Sequence, residues 1–319
     1  MKRFLTMIVA VCAFFAASAQ NPMVTLSHNG ELSFFTNLTA LESAYSAAEN
    51  GDTIYLSQGE FIVNSGSLKI SKDLSIVGSG YGSHILGDIT VSISNQNEVS
   101  DMPLFDGVRL DKLTFSFMSS NTPKTTEIRR CWIRTLEGGA NAAYNMAYDK
   151  CYIENAEFNG HNDFSVLLKN SKVWCNAYSY LYRTTALNCN INVTNYYPST
   201  AISCILGKGE SSDPSVNGSS ASVINCLLDF KPTSSALYQH ECYYVENPYE
   251  SIFDDKMNCT LNLTESGYLG QDGTEVGIMG GEYPFSENPS VPTVDTANSS
   301  VEYDSSANKL KVNITVKAD

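Results

Sequence analysis

The residues of this chain best suited to chemistry gather on three short, evenly spaced phrases. Trp132 and Arg134 follow Cys131, Tyr152 and Glu154 follow Cys151, and Lys172 and Trp174 follow Ser171. Side chains alternate across a β-strand, so if each phrase is a strand whose first residue points inward, these six point outward. Both tryptophans of the chain then stand on one surface. Flat aromatics flanked by charges suit a sugar ring, which offers an apolar C–H face and hydroxyl edges. Trp132, Arg134, Tyr152, Glu154, Lys172 and Trp174 are therefore the candidate substrate-binding residues. The competing reading is structural: outward aromatics also stabilise a sheet by cross-strand packing, or lie beneath a long turn.

Catalysis has fewer anchors. A glycan lyase needs a base and a group that neutralises the substrate's carboxylate, and Arg134, Tyr152, Lys172 and Glu154 supply those types. Glycoside hydrolysis needs two carboxyls at a set separation. Glu154, Asp163 and the pair Asp254-Asp255 are the available donors. None sits in a motif, so the catalytic residues stay unassigned, with Glu154, Asp163 and His161 as the remaining candidates. His161 and Asp163 read first as turn residues within Gly160-His161-Asn162-Asp163. The histidines (His28, His84, His161 and His240) are scattered and there is no Cys-x-x-Cys, so no metal site is expected. Asp272-Gly273 reads as a turn, because the alternating oxygen ligands of a Ca²⁺ loop are missing. No cofactor is expected.

What must position these residues is a repeat. Asn188-Cys189-Asn190-Ile191, Asn225-Cys226-Leu227-Leu228 and Asn258-Cys259-Thr260-Leu261 share one phrase, and Arg130-Cys131-Trp132-Ile133, Lys150-Cys151-Tyr152-Ile153 and Asn170-Ser171-Lys172-Val173 are variants. Ser203-Cys204 and Glu241-Cys242 are degraded copies. The anchors at 131, 151, 171, 189, 204, 226, 242 and 259 lie 15 to 22 residues apart. One short strand per period of about twenty residues indicates a solenoid. Asn tolerates the left-handed backbone of a tight turn, the next residue points inward, and the aliphatic one points inward again. Seven cysteines in one slot form an inward column of small buried residues rather than a disulfide framework. Extended backward, the same slots are expected to hold Leu113/Phe115, Ile89/Val91 and Leu74/Ile76. That gives about eleven rungs and a rod near 50 Å long.

The ends of the solenoid are legible too. Leu38, Leu41, Tyr45 and Ala48 fall at helical spacing, Thr39 and Glu42 form a capping box, and Asn50-Gly51 is a stop, so a helix is expected from about residue 40 to 49. The stretch Ala40-Leu41-x-x-Ala44, then Ala47-Ala48-Glu49-Asn50-Gly51-Asp52-Thr53-Ile54-Tyr55-Leu56-x-x-Gly59 and Leu74-x-Ile76-x-Gly78-x-Gly80, resembles the first rungs of right-handed parallel β-helix proteins of the pectin-lyase-like superfamily, of the exported Gram-negative type without assigned activity. The resemblance covers residues 35 to 265 and implies an all-β solenoid whose first rung is covered by a helix. It implies no particular activity, because the fold hosts lyases, hydrolases, tailspikes and non-catalytic surface proteins. The polygalacturonase-type Gly-His-Gly is not matched at Gly160-His161-Asn162. Beyond Gly267 a cap and a loop are expected. Lys309 to Lys317 alternates as a strand whose partner is Val301-Glu302-Tyr303, giving a C-terminal β-hairpin tail.

Composition bounds the rest. Lys2 and Arg3, the apolar run Phe4 to Phe15 and Ala17-Ser18-Ala19 read as a signal peptide over residues 1–19. Residues 20–290 are then the β-helix with its caps, and 291–319 the tail. Without the signal, 18 basic face 34 acidic residues, a formal charge of −16. That argues against nucleic acid and anionic membranes, and against a highly charged glycan unless a local basic patch or Ca²⁺ compensates. No transmembrane segment is expected. The expected place is outside the cytoplasm of a Gram-negative bacterium: extracellular, on the cell surface or in the periplasm. The expected function is a secreted, non-catalytic carbohydrate-binding or cell-surface protein with a polysaccharide or glycan as partner. The alternatives are a polysaccharide lyase or glycoside hydrolase, and a structural or adhesive rod.

Overall fold

A computed structural model describes residues 22–92, 103–116, 125–138, 145–158, 165–174, 180–193, 195–208, 215–216, 222–228, 238–245, 253–255, 260–261, 267–286, 293–294, 300–304, 309–313 and 316–317. It is a parallel β-solenoid built on two long sheets. The chain alternates between them. The first sheet takes Thr53–Leu56, Ser75–Val77, Phe105–Asp106, Thr125–Arg129, Asn145–Asp149, Ser165–Lys169, Tyr180–Leu187, Asn195–Ile202, Ser222–Ile224 and Tyr238–His240. The second takes Gly59–Ile70, Ser83–Val91, Arg109–Phe115, Trp132–Gly138, Tyr152–Ile153, Lys172–Trp174, Asn190–Val193, Ile205–Lys208, Leu227–Leu228 and Tyr243–Tyr244.

The expected phrase sets the corner between the sheets. Arg130, Lys150, Asn170, Asn188, Ser203, Asn225 and Glu241 all have φ between 41° and 54°. Each turns the chain through the left-handed region, where Asn is better tolerated than other non-glycine residues. The residue after each turn points inward. Cys131, Cys151, Ser171, Cys189, Cys204 and Cys226 are fully buried, and the six described cysteines, Cys242 included, carry no disulfide.

The cysteine slot does more than fill volume. Each thiol reaches the carbonyl two residues back, as from Cys131 Sγ to Arg129 O at 3.0 Å and from Cys189 Sγ to Leu187 O at 3.1 Å. Several also accept the corner amide of the preceding rung. The Cys189 amide donates to Cys204 Sγ at 3.4 Å and the Cys204 amide to Cys226 Sγ at 3.3 Å. Ser171 plays both parts with oxygen: the Cys151 amide donates to Ser171 Oγ at 3.0 Å, and Ser171 Oγ donates to Lys169 O at 2.7 Å. A buried amide without an acceptor is costly, which explains why this slot holds Cys or Ser rather than Ala. Burial raises the Cys131 thiol to about 12 and the Cys151 thiol well above its ordinary range, holding both protonated.

Two further inward columns run through the core beside the cysteine slot. In the second sheet Phe61, Ile85, Leu110, Ile133, Ile153, Val173, Ile191, Leu206 and Leu228 stack in register, all buried. In the first, Ile54, Ile76, Phe105, Ile128, Tyr148, Leu168, Ala186, Ala201 and Val223 do the same. This register corrects the backward extension. Val108 and Leu110 occupy the Cys131/Ile133 slots, whereas Leu113 and Phe115 align with Leu136 and Gly138, and Ile76 lies in the other sheet. Gly107, with φ of 62°, takes the corner there, so no Asn-Cys phrase marks it.

The count of about eleven rungs is also corrected, because the main path of the second sheet ends at its tenth strand, Tyr243–Tyr244. The last phrase, Asn258-Cys259-Thr260-Leu261, does not add a rung: Thr260–Leu261 pairs antiparallel with Phe253–Asp255 in a separate two-stranded sheet.

The N-terminal end is covered by helix α1 (Ala40–Ala47), which buries Ala40, Leu41, Ala44 and Tyr45. The expected capping box is absent. Thr39 makes no side-chain cap bond, and Glu42 instead accepts from the Ser65 amide at 3.3 Å. The helix is secured at its other end. Lys72 Nζ donates to the carbonyls of Tyr45, Ser46 and Ala48 at 2.7, 3.2 and 2.7 Å, satisfying acceptors that a helix C-terminus leaves open. Ahead of the helix, Asn29-Gly30 (φ 51° and 83°) turns a hairpin of Val24–His28 with Glu31–Phe35. Val24–His28 pairs antiparallel with Thr53–Leu56 and so extends the first sheet, leaving Glu31–Phe35 as its outermost strand. Near the C-terminus, Ser300–Asp304 and Lys309–Asn313 form the expected antiparallel pair, with Val301 opposite Val312 and Tyr303 opposite Leu310, but the strand expected through Lys317 ends at Asn313, and Val316–Lys317 pairs instead with Thr293–Val294.

Candidate functional site

The residue after each cysteine slot points out of the second sheet, and parallel register aligns these residues into one column. It runs Glu60, His84, Arg109, Trp132, Tyr152, Lys172, Asn190, Ile205, Leu227, Tyr243. Of the six expected binding residues, Trp132, Tyr152 and Lys172 lie in this column. Arg134, Glu154 and Trp174 lie two residues further along their strands or just beyond.

The column divides into two halves. Residues 267–286, expected as a cap, lie along the later half as a strap. The Gly277 amide donates to Ser203 O at 2.7 Å and the Ile278 amide to Asn190 Oδ1 at 3.2 Å, while Asn170 Nδ2 donates to Gly280 O at 2.7 Å. Val276, Ile278 and Phe285 of the strap close a second hydrophobic core over Ile205 and Leu227, with Tyr152, Trp174, Tyr243 and Tyr268 packed at its margin. Gly277 has to be glycine: its φ is 89°, and a Cβ there would come within 2.3 Å of Asn190 Oδ1. Asp272 shapes the strap's turn. Burial alone would raise its carboxyl, but hydrogen bonds from the amide and hydroxyl of Thr274 outweigh burial and hold it below the ordinary carboxylate value.

The strap changes the standing of two expected binding residues. Lys172 is only 6% exposed, with Nζ 5.0 Å from the Tyr152 ring centroid and 6.0 Å from that of Trp174. Trp174 is half-buried against the strap core.

The earlier half is polar and aromatic. His84, Arg109 and Trp132 are partly exposed, and Glu60 and Arg134 are exposed. Trp132 is held on every side. Its indole N–H donates to Glu154 Oε1 at 2.8 Å, the Arg109 guanidinium carbon lies 4.0 Å from its ring centroid, Tyr152 lies 5.6 Å away on the next rung, and Tyr81 meets it edge-on at 5.7 Å. His84 Nε2 is 3.0 Å from Asp111 Oδ1. Asp111 and Glu154 are thus each engaged by a neighbour, while Glu60 stands exposed in the column itself.

His161 and Asp163 lie outside the described residues. Among the described residues no group of three or more His, Cys, Asp or Glu side chains is placed to hold a metal ion, and no helix is long and apolar enough to cross a membrane.

Glu60, His84 and Arg109 were missed from the sequence because the register before Cys131 was set at Leu113 and Ile89, five and six residues later than the true slots. Val108 and Ser83 occupy the cysteine slot, and reading one residue past each would have placed Arg109 and His84 on the column. The architecture defines the class, an all-β parallel β-solenoid with a strapped lateral face. Comparison with family models, curated proteins and solved structures finds no match for the chain.

Proposed function

We propose that this chain is an exported, non-catalytic carbohydrate-binding β-helix of the pectin-lyase-like kind, which holds a glycan along the earlier half of its outward column. One observation carries the reading: the column changes character midway, buried under the strap from Lys172 to Leu227 and partly exposed, polar and aromatic from Glu60 to Tyr152. Planar polar side chains beside a fixed aromatic ladder suit a sugar's hydroxyl edges. Arg134, Arg109, Glu60 and the His84–Asp111 pair supply them. Trp132 has Arg109 over its face, Tyr152 tilted against it and Tyr81 edge-on, so the sugar meets the ladder at its outer edge rather than face-on.

The test is a screen of the purified chain against a polysaccharide panel, reading retention and product release on the same samples. Retention of at least one polysaccharide without new chain ends is the expected result. Release of product would install the lyase or hydrolase reading, and no retention at all would end the carbohydrate reading.

A structural or adhesive rod is the second reading, favoured by the outermost strand of the first sheet. Glu31–Phe35 exposes Leu32 at 57% and Phe34 at 61% on a sheet edge, a place where sheet proteins more often put charge or proline.

A further inference from the structure

We infer that Glu31–Phe35 is a self-pairing edge, through which two copies of this chain join antiparallel about a two-fold axis at Ser33. The inference uses the edge that favours the rod reading above, and it holds whatever the lateral face binds. Glu31–Phe35 is the outermost strand of the first sheet, paired on one side only, with Val24–His28. The Asn29-Gly30 turn decides which backbone groups that leaves over. With φ of 51° and 83° it is a two-residue turn in the left-handed region, so His28 and Glu31 form the closing hydrogen-bonded pair. By alternation Ser33 and Phe35 also bond inward, and Leu32 and Phe34 turn their N–H and C=O groups to the open edge.

Native sheets guard such an edge with lysine, proline, a bulge or a covering element. This strand reads Glu-Leu-Ser-Phe-Phe in continuous register, without lysine, proline or bulge. The other sheet's edge at the same end is guarded. There helix α1 packs on Gly59–Ile70, Glu42 accepts the Ser65 amide at 3.3 Å, and Asn64 Nδ2 donates to Leu38 O at 3.1 Å. The open edge carries apolar side chains instead. Leu32 and Phe34 are exposed on its outer face, and Tyr55, in line with Phe34 through Thr25, is exposed beside them.

The strand is complementary to itself. Reversed about Ser33, Leu32 falls opposite the second copy's Phe34, and Phe34 opposite its Leu32. Both pairs sit at positions whose backbone groups face the edge, so each exchanges both of its N–H···O bonds. The four apolar side chains then form one cross-strand cluster on the outer face. On the other face Ser33 meets Ser33 as a non-hydrogen-bonded pair, with Cα atoms about 4.5 Å apart. Glu31, the strand's one charged residue, falls opposite Phe35. It stands about 13 Å along the strand from the second Glu31, beyond the screening length at physiological salt. The pairing therefore sets no like charges face to face, and an isologous contact of this kind closes at two copies. A strand of five residues makes a small interface, so the dimer is expected to dissociate on dilution, with a Kd on the order of micromolar.

The experiment is sedimentation velocity of the purified chain from about 1 to 200 µM, a range that brackets this Kd. The sedimentation coefficient should rise with concentration and level off at that of a dimer. Phe34→Lys, which sets a charge opposite Leu32, should weaken association about tenfold or more while its unfolding curve stays close to that of wild type. Register is read by disulfide trapping. Ser33→Cys should be captured as a linked dimer under mild oxidation, because the two Cα atoms lie within disulfide reach. Glu31→Cys, exposed on the same strand, should not be captured. Wild type runs alongside, since Cys242 is the one half-buried thiol among the described six.

A monomer over the whole range overturns the proposal, as does association unchanged in Phe34→Lys. Association without trapping at Ser33→Cys, or trapping as efficient at Glu31→Cys, places the contact elsewhere and overturns it too. Growth past two copies overturns the two-fold and supports the rod reading in its place. None of these outcomes bears on the glycan reading.

Discussion

Replacing Cys204 separates two accounts of the cysteine column. If the slot needs only a small apolar residue, alanine should serve as well as cysteine. The hydrogen bonds say otherwise. Cys204 Sγ accepts the Cys189 amide at 3.4 Å and donates to Ile202 O at 3.2 Å. In Cys204→Ala the Ile202 carbonyl still accepts the Asn188 amide at 3.0 Å, so it is not stranded. The Cys189 amide is left buried with no acceptor, at a cost of about 1–3 kcal/mol, toward the lower end because sulfur is a weak acceptor. The lost sulfur adds about 1 kcal/mol for the void. The sum is about 2–4 kcal/mol. Cys204→Ser should cost less than about 1.5 kcal/mol, because a hydroxyl can repeat what Ser171 does between the Cys151 amide and Lys169 O. The assay is urea unfolding followed by far-UV circular dichroism, comparing midpoints of wild type, Cys204→Ser and Cys204→Ala. Serine should lie clearly between wild type and alanine. Alanine as stable as serine, or more so, would show that the slot is filled for volume alone.

Further outcomes follow from the same contacts. Because burial pushes Cys131 from 9.0 to about 12, the unfolded chain loses that proton first as pH rises. Stability should therefore be unaffected by this group below pH 9 and fall between 9 and 12, by about 1.4 kcal/mol per pH unit, and Cys131→Ser should show a shallower alkaline decline in the same urea titration. Native thiols should resist an aromatic disulfide reagent at pH 8 and react only on unfolding, with rapid reaction of the native chain confined to half-buried Cys242 if it occurs among the described six. Gly277→Ala should unseat the strap by collision with Asn190 Oδ1, seen as faster proteolysis within residues 267–286 while the coil's strand signal persists; an unchanged cleavage pattern would contradict the fit. Lys72→Met removes the cation that holds three carbonyls at the end of helix α1 and should cost about 1–2 kcal/mol, with the loss in the N-terminal part by hydrogen exchange.

The solenoid was legible because its inward slots must repeat. A residue that points into the coil has an identical neighbour one rung away, so Cys, Ile and the left-handed Asn recur and announce the period. The same logic carried Trp132, Tyr152 and Lys172 onto one face correctly. It failed where the corner was taken by Gly107 and the slot by Val108, because neither residue type marks the phrase, and the register slipped to Leu113. With it went Arg109 and His84. The strap was not legible either. Nothing in Val276 or Ile278 says that they close over Ile205 and Leu227 of rungs some fifty to seventy residues earlier, since side-on packing carries no period. Thr39 and Glu42 had the spacing of a capping box, but Glu42 found a different amide, on Ser65 of the neighbouring strand, and Lys72 secured the helix from outside it.

The central claim, that a glycan lies against the earlier half of the outward column, is tested most directly at Trp132 itself. In a Trp174→Phe chain, Trp132 is the sole tryptophan and its emission reports only that place. Acrylamide quenching of this emission, measured with and without a polysaccharide that the chain retains, should fall when the polysaccharide covers the half-exposed ring edge beside Arg109 and Glu154. Unchanged quenching at saturating polysaccharide would place the glycan elsewhere on the molecule and contradict the account.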